Sequence, residues 1–164
     1  MYDAADGVND PLKTVIQQYK YGRNVSLAVP LAGLLLECCP LPVETYDLII
    51  PVPLHLTRLR WRGFNQAQFL AHRLAVAARL PLDAFALQRV RPTRPQVQLS
   101  ADERRQNVAR AFRVVRPPRV YDRHVLLVDD VYTTGATVNE CSRALLQAGA
   151  KTVDVLVLAR AVLH

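Results

Sequence analysis

The chain has 164 residues, of which 51% are apolar, and its 21 Lys and Arg against 14 Asp and Glu give a formal net charge of +7. This length and apolar content exclude a disordered chain and predict a single domain over residues 1–164 with a substantial core. The three cysteines show neither disulfide-framework spacing nor a C-x-x-C pair, so we expect no secreted disulfide scaffold and no zinc site. No apolar run is long enough to span a bilayer and no signal peptide is visible, which predicts a cytoplasmic protein without membrane insertion.

The positive charge comes mainly from arginine, because only three of the 21 basic residues are lysines. Guanidinium groups bind phosphate through a planar fork and stay charged at neutral pH. The composition therefore favours phosphorylated or nucleic-acid partners. A solvated basic surface without a dedicated partner is an equally good interpretation of the composition alone.

The amino-terminal part of the chain, residues 1–44, is predicted to be helical. Pro11 suits the first turn of a helix and Gly22 ends it, with apolar residues at helical spacing in between. A second helix is predicted over residues 26–38. We take this part as a small helical region that precedes a core at residues 45–164.

From residue 45 onwards, predicted strands alternate with predicted helices. The strands are short apolar runs, which is typical of a parallel sheet covered on both faces, so the predicted class is α/β with a twisted sheet flanked by helices. Asn65 is placed to cap a helix, Ser100 and Glu103 have capping-box spacing, and Gly149 closes the last helix. The strands are assigned to residues 46–51, 83–90, 124–129 and 151–160, the helices to 65–80 and 135–149, an irregular basic stretch to 54–64 and a long loop to 91–104.

Two adjacent acids, Asp129 and Asp130, follow the apolar run at residues 125–128. Carboxylates at the end of a strand can accept hydrogen bonds from the vicinal hydroxyls of a sugar, or hold Mg²⁺ through its waters. The loop after them leads into a helix whose first N–H groups form an anion site, and Gly135 lets the backbone approach closely. The combination predicts a cradle for a ribose 5-phosphate. The alternative is an ordinary strand–loop–helix connection made of turn and cap residues.

The segment VLLVDDVYTTGAT at 125–137 resembles the signature of type I phosphoribosyltransferases, which use it to bind 5-phosphoribosyl-1-pyrophosphate (PRPP). The resemblance implies that Asp129 and Asp130 bind the ribose 2′- and 3′-hydroxyls and residues 133–137 the 5-phosphate, with Mg²⁺ held through PRPP and waters rather than by the protein directly. Purine-salvage members often carry an aspartate at the position of Thr133, and its absence argues against hypoxanthine–guanine salvage. The residues assigned to PRPP are Asp129, Asp130, Val131, Tyr132, Thr133, Thr134, Gly135, Ala136 and Thr137.

Two further segments are similar to parts of the same site. The loop after residue 50, PVPLHLTRLRWRGFNQA, is similar to the family's pyrophosphate loop. A guanidinium there would stabilise charge as the C1–O bond breaks. Alternation of side chains along the loop suggests that its arginines do not all point inward. Residues 91–112 resemble the mobile loop that excludes water in glutamine-amidophosphoribosyltransferase-like enzymes. The residues assigned are Pro53, Leu54, His55, Arg58, Arg60 and Arg62 to the pyrophosphate loop, and Gln96, Gln98, Arg104, Arg105 and Asn107 to a mobile loop at about 91–107, with Arg104 catalytic beside Asp129 and Asp130.

Three segments taken together, KYGR at 20–23, PVPLH…R…RGFNQA and Q…S…ER…NV…AF, resemble the ComF family. These are phosphoribosyltransferase-like proteins linked to natural competence and DNA uptake. Their usual Cys-rich zinc-binding segment is missing from this sequence, so we expect a reduced helical hood at the amino terminus.

The resemblance implies an enzyme that transfers phosphoribose from PRPP to an unknown acceptor with Mg²⁺. The alternative is a competence module that binds single-stranded DNA, with PRPP or a nucleotide as a ligand without turnover. Trp61 beside Arg62 is consistent with base stacking, but it can equally be an apolar anchor for the loop. Competence proteins are expected partners, and a homodimer remains open.

Overall fold

Helices and strands alternate in the computed structural model, which describes residues 27–39, 42–93 and 100–160. The helix predicted around residues 11–22 and the mobile-loop residues Gln96 and Gln98 lie outside these ranges. No helix in the described part of the chain has the length and apolarity needed to cross a membrane. In chain order the elements are α1 (Ala28–Glu37), β1 (Leu48–Pro51), α2 (Leu56–Arg62), α3 (Gln66–Ala78), β2 (Leu87–Arg89), α4 (Ala101–Val108), β3 (Phe112–Val114), α5 (Pro117–Val120), β4 (His124–Tyr132), α6 (Ala136–Gln147) and β5 (Thr152–Arg160).

The central sheet consists of β1, β4 and β5 in that order, and both strand pairs are parallel. β4 lies in the middle, where Val125 is in register with Leu48 on one side and with Val153 on the other. Four consecutive residues of β4, at 125–128, are fully buried, because the strand has neighbours on both edges and cover on both faces. The predicted α/β class with a helix-flanked parallel sheet is confirmed.

Alternate side chains of β4 enter two separate apolar clusters, one on each face of the sheet. Leu126 and Val128 pack with side chains of α1 and α3, including Leu31 and Leu74. Leu127 packs on the opposite face with side chains of α6, β2 and β3. Since burying one such side chain stabilises the fold by about 1.5–3 kcal/mol, β4 is firmly anchored just before its acidic end.

The strand predicted over residues 83–90 is wrong in its extent and its pairing. Only Leu87–Arg89 form a strand, β2, which pairs antiparallel with β3 in a separate two-stranded sheet. The cause is the buried carboxylate of Asp83, whose Oδ1 accepts hydrogen bonds of 2.9 Å from the amides of Phe85 and Ala86. These bonds form a turn where the prediction placed strand, and the chain leaves the plane of the central sheet.

The basic stretch at 54–64, predicted to be irregular, contains helix α2. His55 caps its start, because the imidazole Nδ1 accepts a hydrogen bond of 3.3 Å from the Thr57 amide. Gly63 ends it in the left-handed conformation at φ 86°, and its amide donates to the Leu59 carbonyl at 2.7 Å. The caps at both ends explain why this short segment is helical.

The predicted caps of three other helices are confirmed. The Asn65 side chain accepts a hydrogen bond of 3.1 Å from the Ala67 amide at the start of α3. Ser100 and Glu103 form both bonds of a capping box at α4. Gly149 follows α6 with φ 94°, the left-handed conformation that lets the chain turn into β5.

We expect Asp83 to make the stability of the protein depend on acid pH. Burial alone raises the pKa of this carboxyl, but hydrogen bonds from two amides and the charge of Arg116 outweigh burial and lower it. A carboxyl whose pKa is lowered by folding stabilises the protein above its unfolded pKa, and this contribution is lost as pH falls through the lowered value. The free energy of unfolding of wild type should therefore exceed that of Asp83→Asn most at neutral pH, with the difference shrinking below about pH 4.

Asp83→Ala provides the second arm of this experiment. Asparagine keeps an oxygen for the two amides, whereas alanine leaves them without an acceptor, at a cost of about 1–3 kcal/mol. Urea titrations at several pH values measure both effects. A wild-type advantage over Asp83→Asn that is the same at pH 7 and pH 3 would contradict the assigned role of the charge.

Candidate functional site

A cavity of about 420 Å³ opens at the carboxyl ends of β1 and β4. Ligands of open parallel sheets commonly bind at this edge. Six segments contribute to the lining: the chain after β1, helix α2, the start of α3, strand β2, helix α4 and the chain from the end of β4 into α6. The lining residues are Val52, Pro53, Leu54, Arg58, Trp61, Arg62, Asn65, Gln66, Ala67, Arg89, Arg104, Asp129, Asp130, Val131, Thr133 and Thr137.

The adjacent acids Asp129 and Asp130 both line the cavity, together with Val131. Each carboxylate is oriented by the backbone that follows it. Oδ1 of Asp129 accepts a hydrogen bond of 2.9 Å from the Asp130 amide, and Oδ1 of Asp130 accepts one of 2.7 Å from the Val131 amide. Both side chains are half-buried, so their charges face the cavity in a partly desolvated setting.

The loop between β4 and α6 supplies hydroxyl groups and helix amides. Thr133 and Thr137 line the cavity. Thr134 places its hydroxyl oxygen in a buried position where it has no hydrogen-bond partner among the described residues. Gly135 is the N-cap of α6 at φ 75° and provides no side-chain cap for the first helix amides. The segment thus has the features of an anion-binding helix start.

Four residues assigned to the ligand from sequence do not reach the cavity lining: Tyr132, Thr134, Gly135 and Ala136. Ala136 is buried in the core. Tyr132 lies over Gly135, since a Cβ atom built there would come within 2.7 Å of the tyrosine Cζ. The guanidinium of Arg160 stacks on the same ring at 5.5 Å from its centre. Tyr132 therefore packs against the loop at Gly135 without lining the cavity.

Helix α2 explains which arginines of the predicted pyrophosphate loop enter the cavity. Arg58 and Arg62 are four residues apart and line it, whereas Arg60 is exposed and does not. Arg62 also donates from Nη1 to Oε1 of Gln66 at 3.2 Å. Pro53 and Leu54 line the cavity as well, while the ring of His55 caps α2.

The mobile-loop residues divide between the cavity and the surface. Arg104 is buried with 9% exposure and lines the cavity. Arg105 is exposed and pairs with Asp102 one turn away on the same helix. Asn107 uses its backbone carbonyl to accept a hydrogen bond of 3.0 Å from Arg91. Only Arg104 of the described members is thus brought together with the acidic pair.

Arg89 lines the cavity and was missed from sequence. It lies on β2 with 9% exposure, and its guanidinium stacks on Phe112 at 5.3 Å from the ring centre. Burial chiefly, and then the positive charge of Arg58, lower the pKa of Arg89 to about 10, while Asp129 acts in the opposite direction. The sequence contained a signal for the position of Arg89. Residues two apart on a strand face the same side, so Arg89 is expected to point to the side on which Leu87 is buried.

The start of α3 adds two amide side chains that the sequence prediction assigned only to capping or not at all. Asn65 donates from Nδ2 to the Val52 carbonyl at 3.0 Å and so ties α3 to the end of β1. Gln66 is 98% buried beside Arg62. Their positions fix the wall of the cavity between β1 and α2.

The charge of the lining suits a polyanion. Four arginines and two aspartates line the cavity, which makes its formal charge +2. No group of three or more His, Cys, Asp or Glu residues in the described ranges could hold a metal ion. The arrangement can therefore bind an anionic sugar ligand through guanidinium groups, helix amides and the acidic pair.

Comparison with known proteins identifies the family. The phosphoribosyl transferase domain family matches residues 60–162. DNA utilization protein YhgH of Salmonella typhi is 40% identical over 159 residues, which cover 92% of this chain and 67% of that protein. Competence protein F of Haemophilus influenzae is 38% identical over 158 residues, covering 93% of this chain and 69% of the relative.

Solved structures agree on the fold. The allosteric regulatory enzyme of purine biosynthesis superposes with a TM-score of 0.57 at 22% identity, over 84% of this chain and 26% of that one. Glutamine PRPP amidotransferase from B. subtilis, complexed with ADP and GMP, gives a TM-score of 0.62 at 23% identity, over 91% of this chain and 32% of that one. At these identities the likeness concerns the fold alone. With the family match and the relatives near 40% identity, the chain belongs to the ComF family of phosphoribosyltransferase-like proteins.

Proposed function

We propose that the protein binds PRPP with Mg²⁺ in this cavity and transfers phosphoribose to an acceptor, acting in the cytoplasm in competence-associated DNA use. The observation that carries the proposal is the meeting of three elements in one cavity: the Asp129–Asp130 pair, the uncapped start of α6 and four arginines. The relatives named for competence and DNA utilization support the biological setting.

Each part of the cavity matches one part of PRPP. The carboxylates of Asp129 and Asp130 accept hydrogen bonds from the ribose hydroxyls. The amides at the start of α6 and the hydroxyls of Thr133 and Thr137, which line the cavity, bind the 5-phosphate. The arginines face the diphosphate, whose negative charge they balance.

Catalysis by such a site rests on positioning and charge stabilisation. The acceptor attacks C1 with a lone pair, the C1–O bond breaks, and its electrons leave with the diphosphate. Guanidinium groups stabilise the charge that grows on this leaving group. Mg²⁺ usually keeps several of its waters and binds substrate phosphates, so it would be held beside the Asp129–Asp130 pair through PRPP and those waters. When bound, Mg²⁺ would add positive charge at the diphosphate.

Pyrophosphate release from PRPP tests the proposal. The protein is incubated with PRPP and Mg²⁺ and with individual nucleobases or amines, and pyrophosphate is measured with a coupled assay. Release that depends on one acceptor supports transfer. Calorimetry that detects no PRPP binding in the presence of Mg²⁺ would reject the proposal.

A second function, binding of single-stranded DNA, is favoured by Trp61. Its side chain is 62% exposed at the mouth of the cavity, on the same helix as Arg58, Arg60 and Arg62. Aromatic rings beside arginines stack bases of single strands, at about 1–3 kcal/mol per base. Such a surface could bind single-stranded DNA whether or not PRPP is bound as a ligand.

Trp61→Ala is expected to weaken binding of an oligothymidine about 5-fold or more, because one stacked base is lost. Trp61→Phe keeps an aromatic platform and serves as the control. Fluorescence anisotropy at several salt concentrations measures both variants. We expect steep weakening with salt, with a slope of about −0.7 per phosphate contact, and a flat response would exclude this function.

A further inference from the structure

Helix α4 places Arg104 in the cavity although the helix has few apolar side chains to hold it there. Of the α4 residues whose burial the structure describes, only Arg104 and Val108 are buried. They lie four residues apart on one face of the helix. Val108 packs in the apolar cluster that contains side chains of α6, whereas moving the Arg104 guanidinium out of water opposes docking of the helix. The position of Arg104 therefore depends on contacts outside this face.

The first such contact is made by Arg91, two residues beyond the end of β2. Its Nη2 donates hydrogen bonds of 3.0 Å to the Asn107 carbonyl and 2.7 Å to the Ala109 carbonyl. The last carbonyls of a helix have no donor within the helix, and a cation beside them is also favoured by the helix dipole. Arg91 thus ties the carboxyl end of α4 to the chain that follows β2.

The second contact comes from Glu140 in α6. Its Oε1 accepts a hydrogen bond of 2.5 Å from the amide of Arg110, just beyond α4. Arg110 has φ 55°, a left-handed conformation that a non-glycine residue keeps only where its surroundings fix it. Arg143 donates from Nε to Oε2 of Glu140 at 2.9 Å, and hydrogen bonding from Arg143 is the main cause that lowers the pKa of Glu140. The carboxylate is therefore charged and oriented where it accepts the Arg110 amide.

The two contacts hold the same end of α4 from different sides, and Arg104 lies about one helical turn before that end. We propose that Arg91 and Glu140 are positioning residues, which fix α4 between β2 and α6 and so keep the Arg104 guanidinium in the cavity. Neither of them is among the described residues that line the cavity. The inference rests on the proposed function, in which Arg104 faces the ligand.

A double-mutant cycle with Arg104 tests this role by calorimetry of PRPP binding to the full chain with Mg²⁺. Glu140→Ala removes the acceptor and Arg91→Met the donor, and each should weaken PRPP binding about 3- to 10-fold, as for one lost hydrogen bond. In an Arg104→Met background there is no guanidinium to position, so the same changes should alter affinity less than about 2-fold. Glu140→Gln keeps an oxygen for the Arg110 amide and should bind PRPP within about 2-fold of wild type.

Hydrogen exchange of the protein without ligand measures directly how firmly α4 is held. The amides of α4 should exchange about 3- to 10-fold faster in Glu140→Ala and in Arg91→Met than in wild type, because the helix opens more readily. Arg113→Met changes an exposed arginine on β3 and is the matched control, which should behave as wild type in both measurements. If Glu140→Ala does not fold by circular dichroism, Arg91→Met carries the test.

Equal losses of PRPP affinity in the wild-type and Arg104→Met backgrounds would show that Arg91 and Glu140 act independently of Arg104, which overturns the inference. Unchanged affinity in both single variants, or unchanged exchange of the α4 amides, would overturn it as well. If wild type itself binds no PRPP, the proposed function fails, and exchange alone then decides whether Arg91 and Glu140 hold α4.

Discussion

Replacing Asp129 and Asp130 together by asparagine is expected to abolish binding of PRPP while the fold persists. Both carboxylates line the cavity, and each uses Oδ1 to accept the amide of the next residue. Asparagine keeps that oxygen, so the end of β4 retains its geometry. Under the proposed function, loss of the negative charge removes two charge-assisted hydrogen bonds to the ribose and the carboxylates that would face the hydrated Mg²⁺. With about 1.5–3 kcal/mol for each such bond, affinity should fall at least about 100-fold.

Calorimetry with PRPP and Mg²⁺ measures this loss, and thermal unfolding checks the fold. Asp102→Asn is the control, because Asp102 is exposed on α4 and pairs only with Arg105 among the described contacts of its side chain. It should bind PRPP like wild type. Binding by the double variant within a few-fold of wild type would mean that the acidic pair does not contact the ligand, and the ribose assignment would then be wrong.

Five of the cavity-lining residues that were named from sequence lie on one continuous segment, from the end of β4 into α6. Residues 125–128 are apolar because β4 is buried on both faces, and the acids can only follow where the strand leaves the core. Gly135 marks the one backbone position with a positive φ between β4 and α6. Local sequence dictates both features, so a strand, an acidic pair and a helix that starts after a glycine could be predicted in order.

The wall opposite this segment depends on caps and on contacts distant in sequence. Helix α2 forms because His55 and Gly63 cap a seven-residue stretch, and its helical spacing, rather than the alternation of a strand, selects Arg58 and Arg62. Local patterns gave no reason to prefer that short helix. An uncapped basic segment of the same composition would favour a solvated loop.

Arg89 shows a different limit of sequence analysis. Asp83 turns the chain out of the central sheet, and β2 then pairs with β3, a strand of three residues that apolar periodicity does not reveal. This pairing places Phe112 under the Arg89 guanidinium and directs the cation into the cavity. A buried arginine on a strand could have been flagged from alternation, but its neighbours Arg58 and Asp129 are brought to it by tertiary structure alone.

Gly135→Ala is expected to destabilise the protein and remove its affinity for ribose 5-phosphate. The residue has φ 75°, which costs a non-glycine residue about 1–3 kcal/mol. Its new Cβ would also lie 2.7 Å from Cζ of Tyr132, and this overpacking costs about 1–3 kcal/mol more. Relief of the contact requires Tyr132 or the loop to move, and the amides at the start of α6 move with the loop.

Two other glycines separate the contributions of φ and of the collision. Gly63→Ala has the same unfavourable sign of φ, at 86°, with nothing within 4 Å of the new Cβ, so it should cost only the backbone strain. Gly33→Ala lies inside α1 with open space around it and should stabilise by about 0.5–1 kcal/mol. Chemical denaturation of the three variants, with calorimetry of ribose 5-phosphate, gives both readouts. If Gly135→Ala is no less stable than Gly63→Ala, the Tyr132 side chain moves away from the new Cβ without lowering the free energy of unfolding. If it also binds ribose 5-phosphate normally, the α6 amides do not hold the phosphate.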